Sequence, residues 1–174
     1  MGIREQSVAA SEAKISEKQQ ALPQGTYAYI PPGADARMTA SRVSRLLVIE
    51  KPYQASEGSK TPELVIGNEG AIVSQPLQGD EGVLVRSLIP DDPSFDFAVN
   101  TMTFQPGASL PMVEIHVMEH GLLMLSGGGI YRLCDKWYPV TAGDFIWMAP
   151  YCPQWFGALG KTPAKYLIYK DWNR

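Results

Sequence analysis

Apolar and polar residues alternate over short runs from about residue 25 onward, and turn-forming residues separate these runs. Alternation with a period of two indicates strands, whereas a helix repeats its apolar positions every three to four residues. The pattern predicts strands at 27–30, 43–50, 83–88, 96–104, 113–116, 121–125, 129–134, 137–140, 145–148, 154–156 and 165–170. Many short strands with regular turns predict an all-β sandwich or barrel.

Two stretches leave the type of element open. Residues 1–24 are rich in Glu, Gln, Ser, Ala and Lys, and they fit a loose helix, a frayed tail or weak strands. Residues 112–125 contain no proline, and His116 and His120 stand four apart, as in a helical zinc site. A strand is favoured there, because a period of two puts Glu114 and His116 on one face and a helix does not.

Composition and charge narrow the class of protein. The chain has 174 residues, enough for one domain or one domain plus part of another. A net charge of −3 does not indicate the positively charged surface that binds nucleic acid, so we expect no nucleic-acid partner. No apolar run reaches the length of a membrane span, and residues 1–20 lack the apolar core of a signal peptide. We expect a cytoplasmic protein without a membrane partner.

The chain has two cysteines, Cys134 and Cys152, which are too few for a disulfide framework. A reducing compartment is the simpler interpretation. Each cysteine is expected to be a small buried hydrophobic residue rather than a reactive thiol.

Both histidines of the chain fall in one segment, Glu114-Ile115-His116-Val117-Met118-Glu119-His120. Two imidazoles and a carboxylate this close together are typical of a first-row metal site, and Gln154 follows a second block rich in glycine and proline. Such nitrogen and oxygen donors suit Mn²⁺ or Fe²⁺ better than a thiolate zinc site does. The alternative is that these are ordinary core histidines and a polar strand residue.

Other groups could face the same cavity. Tyr166 and Lys170 share one face of the predicted strand 165–170, and Tyr131 follows a run of glycines. If these faces look inward, they bring two hydroxyls and a cation to the metal; otherwise Lys170 is a surface residue and the tyrosines are core. Trp147, Trp155 and Phe156 are expected to pack in the core.

The spacing of these residues resembles that of a cupin metal site. The first cupin motif runs from a glycine through His-x-His and Glu to a second glycine. Here Gly107, Glu114-x-His116, His120 and Gly127 keep that spacing, with Glu and His exchanged. Gly143 and Pro150 lead to Gln154, as the second motif leads to its ligand.

The C-terminal half also resembles (S)-ureidoglycine aminohydrolase, an enzyme family of purine (allantoin) catabolism. The runs that carry this resemblance are His120-Gly121-Leu122-Leu123-Met124-Leu125, Gly129-Ile130-Tyr131-Arg132-Leu133, Trp137-Tyr138-Pro139-Val140, Ile146-Trp147-Met148-Ala149-Pro150, Pro153-Gln154-Trp155 and Tyr169-Lys170-Asp171. The resemblance implies a manganese-dependent bicupin that converts (S)-ureidoglycine and water into (S)-ureidoglycolate and ammonia, and that forms homo-oligomers.

The resemblance also implies residue roles. The metal ligands would be Glu114, His116, His120 and Gln154. The substrate-binding groups would be Tyr131, Tyr166 and Lys170, with Lys170 and Tyr166 acting in catalysis.

One departure from the family concerns the first barrel. The resemblance divides the chain into a partial, metal-free N-terminal cupin remnant (1–53), a linker (54–80) and a metal-binding C-terminal cupin (81–174). We expect the partial barrel to expose strand edges at 27–30 and 43–49, which a partner subunit would cover.

Two rival functions remain open. The chain could be another metal-dependent cupin enzyme, such as a dioxygenase or an isomerase. It could also be a truncated, non-catalytic cupin.

Overall fold

The structure is a computed structural model that describes residues 2–9, 12–15, 18–39 and 43–172, with only the backbone described for residues up to 20. The chain forms two compact units. The first comprises Met1–Ala71 and Asp92–Phe95, and the second comprises Ile72–Asp91 and Asp96–Arg174.

The described strands of the first unit form three small antiparallel sheets. Its strands are β1 (Gly2–Ala9), β2 (Glu12–Ile15), β3 (Lys18–Ala21), β4 (Thr26–Tyr29), β5 (Ala36–Thr39), β6 (Val43–Glu50) and β7 (Val65–Asn68). β1 pairs with β6, β4 pairs with β7, and β2 lies between β3 and β5. A 3-10 turn, η1 (Glu69–Ala71), follows β7. Within this unit Tyr29 packs edge-on against Phe95, with ring centroids 4.9 Å apart.

The second unit contains two antiparallel sheets. Its strands are β8 (Gln75–Leu77), β9 (Asp80–Ser87), β10 (Phe97–Phe104), β11 (His120–Ser126), β12 (Gly128–Leu133), β13 (Lys136–Thr141), β14 (Phe145–Met148), β15 (Gln154–Ala158) and β16 (Ala164–Asp171). The order in the larger sheet is β14-β11-β16-β10-β9-β8, and in the smaller one β13-β12-β15. β16 therefore lies inside the larger sheet, between β11 and β10.

Glycines permit the close approach of strands in the second unit. A Cβ on Gly129 would collide with the backbone carbonyl oxygen of Gly157 on the neighbouring strand, and a Cβ on Gly121 would collide with the ring of Tyr169. Strand glycines commonly mark such close approaches. The glycine at 129 thus lets β12 and β15 pair, and β15 carries Gln154.

The core of the second unit is a cluster of aromatic and aliphatic side chains from both sheets. Phe104, Phe156 and Tyr166 form its aromatic centre, with ring centroids 4.9 to 5.6 Å apart. Leu122, Met124 and other residues pack around them. Edge-to-face ring pairs of this kind stabilise a core beyond the area that they bury.

The all-β prediction is confirmed. The predicted strands at 43–50 and 145–148 match β6 and β14 in full, and most others match within a few residues. Residues 1–24, where the sequence left the element open, contain β1, β2 and β3. The division at 53 and 80 stays a prediction; residues 54–80 contain β7, η1 and β8. Across the described ranges, the structure has no helix long and apolar enough to cross a membrane.

The predicted strand at 113–116 is wrong, and so is the rival helix over 112–125. Residues 111–119 form no ladder strand and no helix, and Glu114 makes a single isolated bridge to Gln154. The alternation is real, but the apolar side chains at Val113, Ile115 and Val117 point to solvent. Without a neighbouring strand along its length, this segment cannot form a continuous ladder.

Candidate metal and substrate site

A cavity opens in the second unit where the two sheets meet the segment 111–119, and its volume is about 90 Å³. Six of the seven site residues predicted from the sequence line it: Glu114, His120, Tyr131, Gln154, Tyr166 and Lys170. The seventh, His116, contacts two of them. The structure therefore brings the whole predicted set together.

His120 begins β11 and has an exposed fraction of only 1%. Burial is the main cause that lowers its pKa from 6.5 to about 4, and electrostatic interactions with Lys170 and then with His116 lower it further. Hydrogen bonds to the backbone of Glu119 and Met118 oppose this effect. The imidazole is thus neutral at pH 7, as a metal ligand must be.

The Nε2 atom of His120 is buried and, within the described part of the chain, has no hydrogen-bond partner. Buried polar atoms without partners are rare and costly, so each one needs an explanation. This atom belongs to a residue that lines the cavity. A neutral imidazole nitrogen in that position is a free ligand atom.

Glu114 and His116 reach the site from the irregular segment. The backbones of Glu114 and Gln154 exchange two hydrogen bonds of 2.8 and 2.9 Å. The His116 carbonyl accepts from the amide of Tyr151 at 2.7 Å. Both side chains are partly buried, while Ile115 between them is exposed. A few backbone bonds thus fix which side of this segment faces the cavity.

The side chains that could bind a metal lie close together, but they contact one another instead of pointing at a common centre. His116 Nε2 lies 3.1 Å from Glu114 Oε2, and the His116 ring stacks on that of His120 at 4.7 Å with an angle of 20°. Nitrogen lone pairs lie in the ring plane, so near-parallel stacked rings do not direct them at one point. Accordingly, no group of three His, Cys, Asp or Glu side chains among the described residues has the arrangement of a metal site.

Gln154 begins β15 and is buried. The Tyr131 hydroxyl donates to Gln154 Oε1 at 2.8 Å and lies 3.0 Å from Met148 Sδ. Tyr131 is itself buried on β12, and burial, followed by the charge of Glu114, raises the pKa of its hydroxyl. The phenol therefore keeps its proton and orients the glutamine oxygen.

Tyr166 and Lys170 lie on the same face of β16, as the sequence pattern predicted. The Tyr166 hydroxyl contacts Met102 Sδ at 3.3 Å, and burial raises its pKa well above the usual value. Lys170 is half-buried and is the ladder partner of His120 on β11. The cavity thus has one ammonium and two protonated phenols around its carboxylate and imidazole.

Sequence reasoning missed two thioethers and an amide at this site. Met102 and Met148 accept contacts from the two tyrosine hydroxyls, and Asn100 lines the cavity with Met102. The alternation of β10 was a usable signal, because Asn100 and Met102 share one face. Methionines in a strand are usually core residues, so no sequence signal indicated that Met102 and Met148 contact the tyrosine hydroxyls.

Two other predictions are wrong. Cys134 is exposed and Cys152 is only partly buried, because both lie in turns rather than in strands facing the core. Trp147 does not pack in the core; it is 50% exposed, and its indole nitrogen donates to Glu119 at 3.3 Å. Trp155 and Phe156 do pack there, as predicted.

The sequence and the fold match known proteins. The family described as Cupin domain matches residues 100–169, which include the four predicted metal ligands and all residues lining the cavity except Leu77, Val85 and Lys170. The second unit contains a cupin domain. A solved structure of a protein described as glyoxylate-induced, from Pseudomonas aeruginosa, is 36% identical and superposes with a TM-score of 0.86. The superposition covers 96% of this chain and 63% of that one.

Curated relatives extend the match beyond the cupin domain. An (S)-ureidoglycine aminohydrolase from Arabidopsis thaliana is 45% identical over 168 residues, which cover 95% of this chain and 55% of the relative. One from Escherichia coli (strain K12) is 35% identical, over 93% of this chain and 63% of the relative. The chain is thus a homologue of these proteins over most of its own length. It spans between about half and two thirds of theirs.

Proposed function

We propose that this cupin converts (S)-ureidoglycine and water into (S)-ureidoglycolate and ammonia, with Mn²⁺ as its cofactor. The relatives named (S)-ureidoglycine aminohydrolase support the reaction. The observation that carries the proposal is the buried Nε2 of His120, which has no hydrogen-bond partner among the described residues and belongs to a cavity that also holds Glu114, Gln154 and Lys170.

The donor set fits a manganese ion. Glu114, His116, His120 and Gln154 would hold it, through a carboxylate, two imidazoles and an amide oxygen, which are ligand types that suit Mn²⁺. To do so, His116 must exchange both its contact with Glu114 and its stacking on His120 for the metal. When bound, the metal supplies Lewis acidity at the polar groups of the substrate.

Lys170 is assigned to the carboxylate of the substrate. Its ammonium group is half-buried at the cavity wall, where a point charge attracts a carboxylate more strongly than it does in bulk water. Its ladder partner is His120. Lys170 would therefore hold the substrate beside the metal ligands and orient the carbon that loses ammonia.

The two phenols act as hydrogen-bond donors and not as bases. The raised pKa values of Tyr131 and Tyr166 keep both hydroxyls protonated at neutral pH. Tyr166 contacts a thioether, which is a weak acceptor, so an amine or ureido group of the substrate can replace that contact. Tyr131 already donates to Gln154, and its oxygen can still accept a hydrogen bond from the substrate.

The proposal extends to the setting of the reaction. We place the protein in the cytoplasm, in the breakdown of purines, as a homo-oligomer. Among the described residues β6 pairs with β1 on one side only, and Val43 at its start is 89% exposed; an open strand edge of this kind supports self-association. Light scattering of the purified chain would measure its mass; a stable, dilute monomer contradicts the homo-oligomer.

The test is ammonia release from freshly generated (S)-ureidoglycine by the chain loaded with Mn²⁺, compared with chelator-treated chain. We expect metal-dependent release above the spontaneous rate, and none from His116→Ala, which should also lose the metal. No release despite bound Mn²⁺ would overturn the proposal. Oxygen consumption with bound iron would instead favour a cupin dioxygenase.

A further inference from the structure

The two cysteines come together at the surface of the cupin domain. Cys134 lies in the turn between β12 and β13, and Cys152 lies in the loop before β15. Their sulfur atoms are 3.5 Å apart. No other cysteine exists in the chain, so a pair this close selects one intramolecular partner for each thiol.

The backbone around the pair is held in place. The amide of Cys134 donates to the carbonyl of Pro153 at 2.8 Å. Cys134 and Tyr151 have positive φ angles of 55° and 63°, which non-glycine residues adopt only in tight turns. Two tight turns therefore face each other with a thiol on each, and only a small side-chain movement separates 3.5 Å from the length of about 2 Å in a disulfide.

We propose that Cys134 and Cys152 form a reversible disulfide under a peroxide oxidant, and that this bond constrains the loop that carries Gln154 into the cavity. The exposed sulfur of Cys134 attacks the peroxide: a sulfur–oxygen bond forms, the oxygen–oxygen bond breaks, and water leaves. The sulfur of Cys152 then attacks this sulfenic acid, and its proton leaves with the hydroxide as a second water. Two thiols lose two electrons, and one peroxide gains them.

The loop between the cysteine and the cavity is short. Tyr151 donates its amide to His116, and Gln154 exchanges two backbone bonds with Glu114. Cys152 lies between these two attachment points. A covalent link from Cys152 to the β12–β13 turn would therefore suppress opening of both attachments.

The first experiment treats the full chain with hydrogen peroxide, blocks remaining thiols and measures intact mass and peptides. We expect loss of two hydrogens, a peptide that links Cys134 to Cys152, and reversal by dithiothreitol. Cys152→Ser should instead stop at a sulfenic acid on Cys134, which dimedone traps. Links between chains, or direct oxidation of Cys134 to sulfinic acid in the unmodified sequence, would overturn the proposed bond.

The second experiment compares amide hydrogen exchange of the reduced and oxidised chain. We expect the amides of Tyr151 and Gln154 to exchange severalfold more slowly after oxidation, while those of β10 keep their rates. Unchanged or faster exchange at 151 and 154 would overturn the proposed constraint. Neither experiment uses the proposed reaction, so a chain that releases no ammonia still tests this inference.

Discussion

The cavity has one wall of regular sheet and one wall of irregular chain. His120, Tyr166 and Lys170 lie on β11 and β16, which pair residue by residue through His120↔Lys170 to Met124↔Tyr166. Glu114 and His116 lie outside every strand. Their backbone joins the other wall through the bridge to Gln154 and the bond from Tyr151.

This difference separates two ways of holding a functional group. A ladder fixes a side chain through several neighbouring pairs, so one substitution there changes the chemistry and leaves the placement intact. The irregular wall depends on a few hydrogen bonds. Substitutions on the regular wall should therefore give clean chemical effects, and the following changes test that contrast.

The largest effect is expected from His120→Leu on the regular wall. Ammonia release should fall to the spontaneous rate and Mn²⁺ should be lost, because a ligand atom is removed. The free energy of unfolding of the metal-free variant should stay within about 1 kcal/mol of the parent value, because removal of Nε2, which has no partner among the described residues, offsets the loss of the ring's hydrogen bonds to the backbone of Glu119 and Met118. Metal content, ammonia assay and urea unfolding measure the three quantities; a loss of several kcal/mol would contradict the account of Nε2.

The pH dependence of metal-free protein comes next. The pKa of His120 is about 4 in the folded chain, below its ordinary 6.5, so the unfolded chain binds more protons between these values. The contribution of His120 to the free energy of unfolding is therefore intact above pH 6.5 and is lost as the pH falls to 4. The loss is on the order of 3 kcal/mol. Urea unfolding at several pH values measures it, and His120→Leu should lack this part of the slope.

Lys170→Met should lower kcat/KM for (S)-ureidoglycine by about 10- to 100-fold, the effect of losing one hydrogen bond to a charged group. Bound Mn²⁺ should be unchanged, because Lys170 is not among the proposed ligands. The matched control is Lys165→Met, on the opposite face of the same strand, which should keep its activity. Equal kcat/KM in the two variants would contradict the assigned role.

Tyr131→Phe tests the support of Gln154, the strand residue to which the irregular wall is bridged, since Tyr131 orients the Gln154 oxygen. We expect Mn²⁺ affinity to fall about tenfold, as for other groups that position a ligand. Tyr138→Phe is the control, because Tyr138 is the exposed ladder partner of Tyr131. Titration of metal into both variants gives the comparison, and unchanged affinity in Tyr131→Phe would show that Gln154 needs no such support.

The smallest effect is expected on the solvent side of the irregular wall. Ile115 is 61% exposed, so Ile115→Thr should change the free energy of unfolding by less than about 0.5 kcal/mol. Leu122→Ala, in the regular wall and fully buried, should cost about 2 to 5 kcal/mol. Urea unfolding of both variants measures the contrast. Similar losses would mean that the two walls are packed alike.

The regular wall was predictable from sequence, because alternation reports which residues share a face of a strand. Tyr166 and Lys170 were paired in this way, and the strand at 145–148 was found with correct bounds. Glu114 and His116 were also predicted to lie together, because histidine and carboxylate at close spacing are a chemical signal that needs no ladder, and they do lie together at the cavity.

The irregular conformation of residues 111–119 was not predictable. A strand forms only beside a neighbouring strand, and the sequence of one segment does not show whether such a neighbour is present. Val113, Ile115 and Val117 have strand preference, yet they face solvent and no ladder forms beside them. The cysteine pair was missed for a similar reason. Its closeness comes from two turns that are far apart in sequence, and no local pattern reports such a contact.

The position of β16 has a consequence for how the protein is made. β16 is the last strand of its sheet in chain order, yet it lies in the interior of that sheet and pairs with both β10 and β11. During synthesis on the ribosome, the edges of β10 and β11 that pair with β16 therefore stay unpaired until β16 emerges. Such edges invite association with other chains, so the nascent protein should depend on chaperones more than a simple meander of strands would.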